Sequence, residues 1–89
     1  MDFEWDAGNL SEIGKHDLYL TDVEDAMADP GLLQRPAYER DGEVRSKIIG
    51  ATPFGRILVV VFTERRESLR VVTAWPASRR DVRRYREGS

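Results

Sequence analysis

The stretch Ile57-Leu58-Val59-Val60-Val61-Phe62 is an unbroken apolar run, most of it β-branched. It is too short for a buried helix and suits a strand covered on both faces, so it is read as the central strand of a sheet. Thr52-Pro53-Phe54-Gly55 before it reads as a turn, and the polar residues 64–67 after it as a hairpin loop. Strands over 44–50 and 69–75 then flank the central one. Arg40-Asp41-Gly42 turns the chain back to a further strand over 32–38. Pro36 has no N–H to donate, so that strand belongs at an edge. These pieces make an antiparallel meander.

Upstream, Phe3 and Trp5 alternate with Asp2, Glu4 and Asp6, a short strand signal. Asp6 is placed to cap a helix, with Trp5 and Leu10 as a hydrophobic staple. Ala7, Leu10 and Ile13 would form the inner face, and Gly14 the stop. Thr21-Asp22-Val23-Glu24 reads as a capping box for a second helix buried through Val23, Ala26 and Met27. Asp29-Pro30-Gly31 ends it. Downstream, Pro76 breaks the last strand. Ser78 and Asp81 then open a helix with Val82 and Tyr85 facing inward. The expected architecture is α+β: a short N-terminal strand, two helices, the meander and a C-terminal helix, in one domain over residues 1–89.

The chain has 89 residues, no cysteine and one histidine, His16. Disulfides and thiolate metal sites are excluded, and no metal or cofactor is expected. No apolar run spans a membrane, and the start lacks a signal-peptide pattern, so a cytoplasmic protein without membrane contact is expected. The net charge of −2 conceals a strong asymmetry. Residues 1–30 hold nine acids against Lys15, whereas residues 65–89 hold eight arginines against three acids. Arginine forks onto phosphate or carboxylate.

Several residues could carry chemistry. His16 is the side chain whose ordinary pKa lies nearest neutrality, and Lys15 beside it brings a cation. His16 also fits as a cap for the first helix. By strand alternation Arg70 lies opposite Leu69, Val71 and Thr73, with Val72 and Ala74, in position to pair with an acid. Arg45 alternates away from Val44. Tyr85 can stack on a base or donate a hydrogen bond. Trp75, Arg79, Arg80, Arg83 and Arg84 are candidates for binding RNA or a partner protein. Arginines crowded on one short helix repel, so phosphate, an acidic partner or the acids of residues 1–30 must offset them. Asp81 is most simply a cap.

Phe3-Glu4-Trp5-Asp6, Lys15-His16 and the helix ending Asp29-Pro30 resemble the start of the BrnT family. Arg45 before Ile49-Gly50 and the run from Gly55 to Arg65 resemble its middle. Leu69-Arg70-Val71-Val72-Thr73-Ala74 resembles its "IRIISAR" strand, and residues 77–85 its closing helix. The resemblance implies a RelE-like fold and a metal-independent ribonuclease toxin that stalls translation. It also implies a BrnA-like antitoxin with a ribbon-helix-helix part, through which alone DNA would be met. A homodimer or a toxin–antitoxin heterotetramer would fit this. On this resemblance Lys15, His16, Arg45, Arg70 and Tyr85 are the catalytic candidates. The chain departs from the family pattern at Glu12 (usually asparagine), Asp17 (glycine), Trp75 (arginine) and Asp81 (glutamate). Losing a cation at Trp75 raises a second expectation: a catalytically impaired homologue that serves as a protein-binding module for an antitoxin-like partner.

Overall fold

The computed structural model describes residues 2–88. The elements run β1 (Asp2–Glu4), α1 (Ala7–Gly14), α2 (Leu20–Met27), β2 (Leu33–Arg40), β3 (Glu43–Ala51), β4 (Ile57–Glu64), β5 (Ser68–Pro76) and α3 (Arg79–Glu87). The five strands form one mixed sheet in the order β1-β5-β4-β3-β2. β1 lies parallel to β5, and the other pairs are antiparallel. The architecture is α+β, as read from the sequence.

β4 occupies the middle of the sheet, and Leu58 through Thr63 are all buried. Its two faces do different work. Leu58, Val60 and Phe62 join Ile13, Leu18, Val23, Ala26, Ile48, Leu69, Val71 and Ala74 in the main core beneath α1 and α2. Val59 and Val61 point to the opposite face, which carries Arg45, Lys47, Thr63, Arg70, Thr73 and Trp75 by register. β2 lies at one edge of the sheet and β1 at the other. The pairing of β2 with β3 shifts between Arg35 and Tyr38, the interval that holds Pro36. A bulge there accommodates the missing N–H. The β2–β3 turn places Asp41 and Gly42 at positive φ, 53° and 77°, as a tight hairpin requires.

Three local expectations need correction. Asn9, not Leu10, is the buried residue of the first turn of α1; Leu10 is 38% exposed. Asn9 donates from Nδ2 to the carbonyls of Glu4 (2.8 Å) and Val71 (3.1 Å), and its Oδ1 accepts from the Asp6 N–H. These three polar bonds rotate the helix, because β1 pairs only as far as Arg70 and the next carbonyl of β5 needs a donor. α2 begins earlier than the Thr21 box predicts: Tyr19 is its N-cap, and the Asp22 carboxylate accepts from the Tyr19 N–H at 2.9 Å. β5 carries an extra residue at Val72, since Thr73 pairs with Val61 but Val71 with Phe62. Alternation therefore fails there. Ala74 is buried beside Leu69 and Val71, and Thr73 joins the face of Arg70. Of the alternatives left open for the α3 arginines, ion pairing with the acids of residues 1–30 is not seen among the described residues. Among the described residues the ion pair of these arginines is Arg84 with Asp81, at 3.9 Å within the helix.

Gly50 belongs to β3 and marks a close crossing. A Cβ there would stand 2.2 Å from the Ala26 carbonyl oxygen of α2. Among the described residues no helix is long and apolar enough to cross a membrane.

Candidate active site

A charged cleft lies on the sheet face away from the main core, beside the N-terminal half of α1. It has a volume of about 300 Å³ and is lined by Asn9, Glu12, Arg45, Thr63, Arg65 and Arg70, with Glu43 at its rim. β3, β4 and β5 bring Arg45, Thr63 and Arg70 together through register: Arg70 pairs with Thr63, and the neighbouring Phe62 pairs with Ser46. Three guanidinium groups within one small cleft need anchoring carboxylates.

Each arginine has one. Arg45 Nε lies 3.5 Å from Glu43 Oε1, and Arg65 Nη2 lies 3.6 Å from Glu43 Oε2. Arg70 Nη1 donates to Asp6 Oδ2 at 2.9 Å and stands 3.9 Å from Glu4 Oε1. The Asp6 pairing raises the pKa of Arg70, and the Arg70 hydrogen bond holds the Asp6 carboxyl below its usual range. Arg70 thus ties β5 to the β1–α1 junction. Arg45 is held less completely. Its Nε is buried, faces the Glu43 carboxylate at 3.5 Å and donates no hydrogen bond.

Glu12 joins the remaining candidates to this cleft. Thr73 Oγ1 donates to Glu12 Oε2 at 2.9 Å, and Lys15 Nζ lies 3.3 Å from Glu12 Oε1. His16 Nε2 is 3.9 Å from Glu12 Oε2. The Thr73 hydroxyl first, and the Lys15 ammonium after it, hold the Glu12 carboxyl below its usual range, so it is anionic at neutral pH. The spacing explains the cluster: 12, 15 and 16 are i, i+3 and i+4 along α1 and its C-terminal turn. Lys15 and His16 are therefore one group, bridged by Glu12 to the wall of the arginine cleft.

Tyr85 is elsewhere. Its hydroxyl donates to Asp29 Oδ2 at 2.5 Å, and that carboxylate also accepts from the Ala51 N–H at 2.8 Å. Ala51 ends β3 and Arg45 lies six residues before it, roughly 20 Å along the strand. Trp75 sits between these ends with Lys47 Nζ 5.8 Å from its ring centroid, a cation–π contact. Arg79, Arg80 and Arg83 are exposed on α3, and Arg84 is half-buried beside Asp81. The candidates thus divide into Arg45 and Arg70 in the cleft, Lys15 and His16 joined to its wall through Glu12, and a group at the α3 end (Tyr85 and its arginines).

Sequence reading passed over five residues of the cleft region, among them Arg65 in the β4–β5 loop. Glu12 had a signal in its helical spacing to Lys15 and His16. Lys47 had one in its two-residue spacing from Arg45 on a strand. Thr73 was hidden by the bulge at Val72, and Glu43 by its place at a turn.

A search of curated proteins found no match. A family model described as "Ribonuclease toxin, BrnT, of type II toxin-antitoxin system" matches residues 5–81. That span covers most of the chain, including the whole arginine cleft with Glu12, Lys15 and His16, and the chain belongs to the BrnT family of ribonuclease toxins.

Proposed function

We propose that this chain, as one domain over residues 1–89, is a metal-independent endoribonuclease toxin of RelE-like type. In this reading it inhibits translation in the cytoplasm and is neutralised by a BrnA-like ribbon-helix-helix antitoxin. The observation that carries the reading is the cleft in which Arg45, Arg65 and Arg70 gather with Glu12, the carboxylate that also pairs with Lys15 and His16.

The chemistry follows from those groups. An RNA phosphate enters the cleft and is held by the Arg45 guanidinium in its lining. Arg65 and Arg70 add positive charge where negative charge builds on phosphorus. His16 turns Nε2 toward Glu12, leaving Nδ1 to take the proton of the 2′-hydroxyl. The 2′-oxygen bonds to phosphorus and the bond to the 5′-oxygen breaks. The departing oxygen receives its proton from Lys15. The products are a 2′,3′-cyclic phosphate and a 5′-hydroxyl. Glu12 stabilises the imidazolium that forms.

The second reading, an impaired homologue that only binds a partner, rests on Trp75. Lys47 weighs against it, because this lysine supplies a cation beside that ring. Growth after induced expression tests the two readings. Arrest by the native chain, relieved by Arg45→Ala and by co-expression of the partner encoded beside it, is expected. Normal growth with a folded, abundant protein would rule out the toxin and leave the binding module.

A further inference from the structure

α3 holds nine residues, five of them arginine, and none is buried. The Tyr85 hydroxyl on Asp29 is its main polar tie to the rest of the chain. Arg79, Arg83 and Arg86 recur at i, i+4 and i+7, so they share one face, and all three are exposed. Beside them runs an open groove of about 470 Å³ whose lining adds Ala77, Val82 and one acid, Glu87, to the three arginines. Among the described residues none of these three arginines makes an ion pair. Like charges at i, i+4 cost the helix stability, so an unshielded row is a feature that a bound anionic group would offset.

We propose that this groove is the docking surface for an acidic amphipathic helix of the partner protein. The proposal rests on the toxin–antitoxin reading above and deepens it. Carboxylates at the matching i, i+4 and i+7 spacing would meet Arg79, Arg83 and Arg86, while apolar residues between them rest on Ala77 and Val82. Charge complementarity and the apolar floor favour a protein segment over RNA. A single-stranded RNA surface presents aromatic platforms to the bases. Here the Tyr85 hydroxyl is tied to Asp29 and the Trp75 ring faces Lys47. The surface also lies at the other end of the sheet from the arginine cleft, so the partner can hold the toxin without entering the cleft.

The test uses the full chain and the variant Arg79→Glu/Arg83→Glu/Arg86→Glu, whose changes fall on exposed positions. The probe is a synthetic amphipathic helix with glutamates at i, i+4 and i+7 beside leucines, compared with its glutamine counterpart and a single-stranded RNA. The native chain is expected to bind the glutamate peptide at least about tenfold more tightly than the glutamine one, with the preference shrinking in high salt and vanishing in the variant. In cells, the co-expressed partner should relieve arrest by the native chain but not by the variant. Relief of both would place docking elsewhere and overturn the proposal while leaving the antitoxin reading intact. Relief of neither would refute the antitoxin reading itself. Loss of RNA binding by the variant, with peptide binding kept, would make α3 an RNA surface and also overturn the proposal.

Discussion

Asn9 shows how one polar side chain decides the placement of an element. It is 3% exposed and links the end of β1, the cap of α1 and the open edge of β5. Asn9→Ala removes a donor from two carbonyls and an acceptor from the Asp6 N–H. A loss of about 2–4 kcal/mol is expected, since buried polar groups left unpaired cost about 1–3 kcal/mol each. Urea unfolding measures it; a change below about 0.5 kcal/mol would show that α1 is held by Ile13 alone. The same residue explains a misreading. Apolar spacing favoured Leu10 as the inner residue, and nothing in a single sequence reveals that a strand edge lacks a donor. Glu12 is comparable: its role depends on Thr73, brought 61 positions along the chain to 2.9 Å.

At the scale of elements, strand order was largely legible because β4 is apolar on both faces and its neighbours are bounded by turns. Pro36 correctly marked an edge. The bulge in β5 was not legible, because an extra residue leaves no compositional trace in a run as uniform as Val71-Val72. The faces of Thr73 and Ala74 were exchanged as a result. Gly50 was likewise silent: its need arises from Ala26 of α2. Gly50→Ala should force α2 off β3 and cost about 1–3 kcal/mol or more, read as a fall in melting temperature. An unchanged melting temperature would mean that α2 yields freely.

The attachment of α3 is an element-scale property with a pH signature. Burial pushes the Asp29 carboxyl up, but the Tyr85 hydroxyl and the Ala51 and Gly31 N–H groups outweigh it, and the net pKa lies below the usual value. The Asp29 bond raises the pKa of Tyr85. A depressed carboxyl stabilises the fold above its unfolded pKa, near 4, and loses that contribution as pH falls through the folded value. A raised phenol stabilises below its unfolded pKa, near 10, and loses that contribution as pH rises through the folded value. The latch is therefore intact between about pH 4 and 10 and fails on either side. Tyr85→Phe should destabilise the protein by about 1–3 kcal/mol at neutral pH. It should also flatten the alkaline fall in stability; equal alkaline falls in both proteins would remove Tyr85 as its cause.

At the scale of the whole molecule, charge is sorted by function. The acids of the first helices anchor arginines of the cleft: Asp6 holds Arg70, and Glu12 holds Lys15 and His16. Among the described residues the arginines of α3 form no ion pair with the acids of residues 1–30. The charge asymmetry was visible in the sequence, but its division between an anchored cleft and a free helix is a property of the fold. Family membership supplies the class of reaction, and the cleft supplies the residues proposed to perform it.

The most direct test is to incubate the purified chain with RNA in excess chelator and to identify the ends produced, with His16→Ala in parallel. Cleavage in chelator with 2′,3′-cyclic phosphate ends is expected, reduced about 10²–10⁴-fold in a folded His16→Ala protein. Intact RNA, or cleavage that the variant performs equally well, would contradict the assignment of the reaction to this cleft.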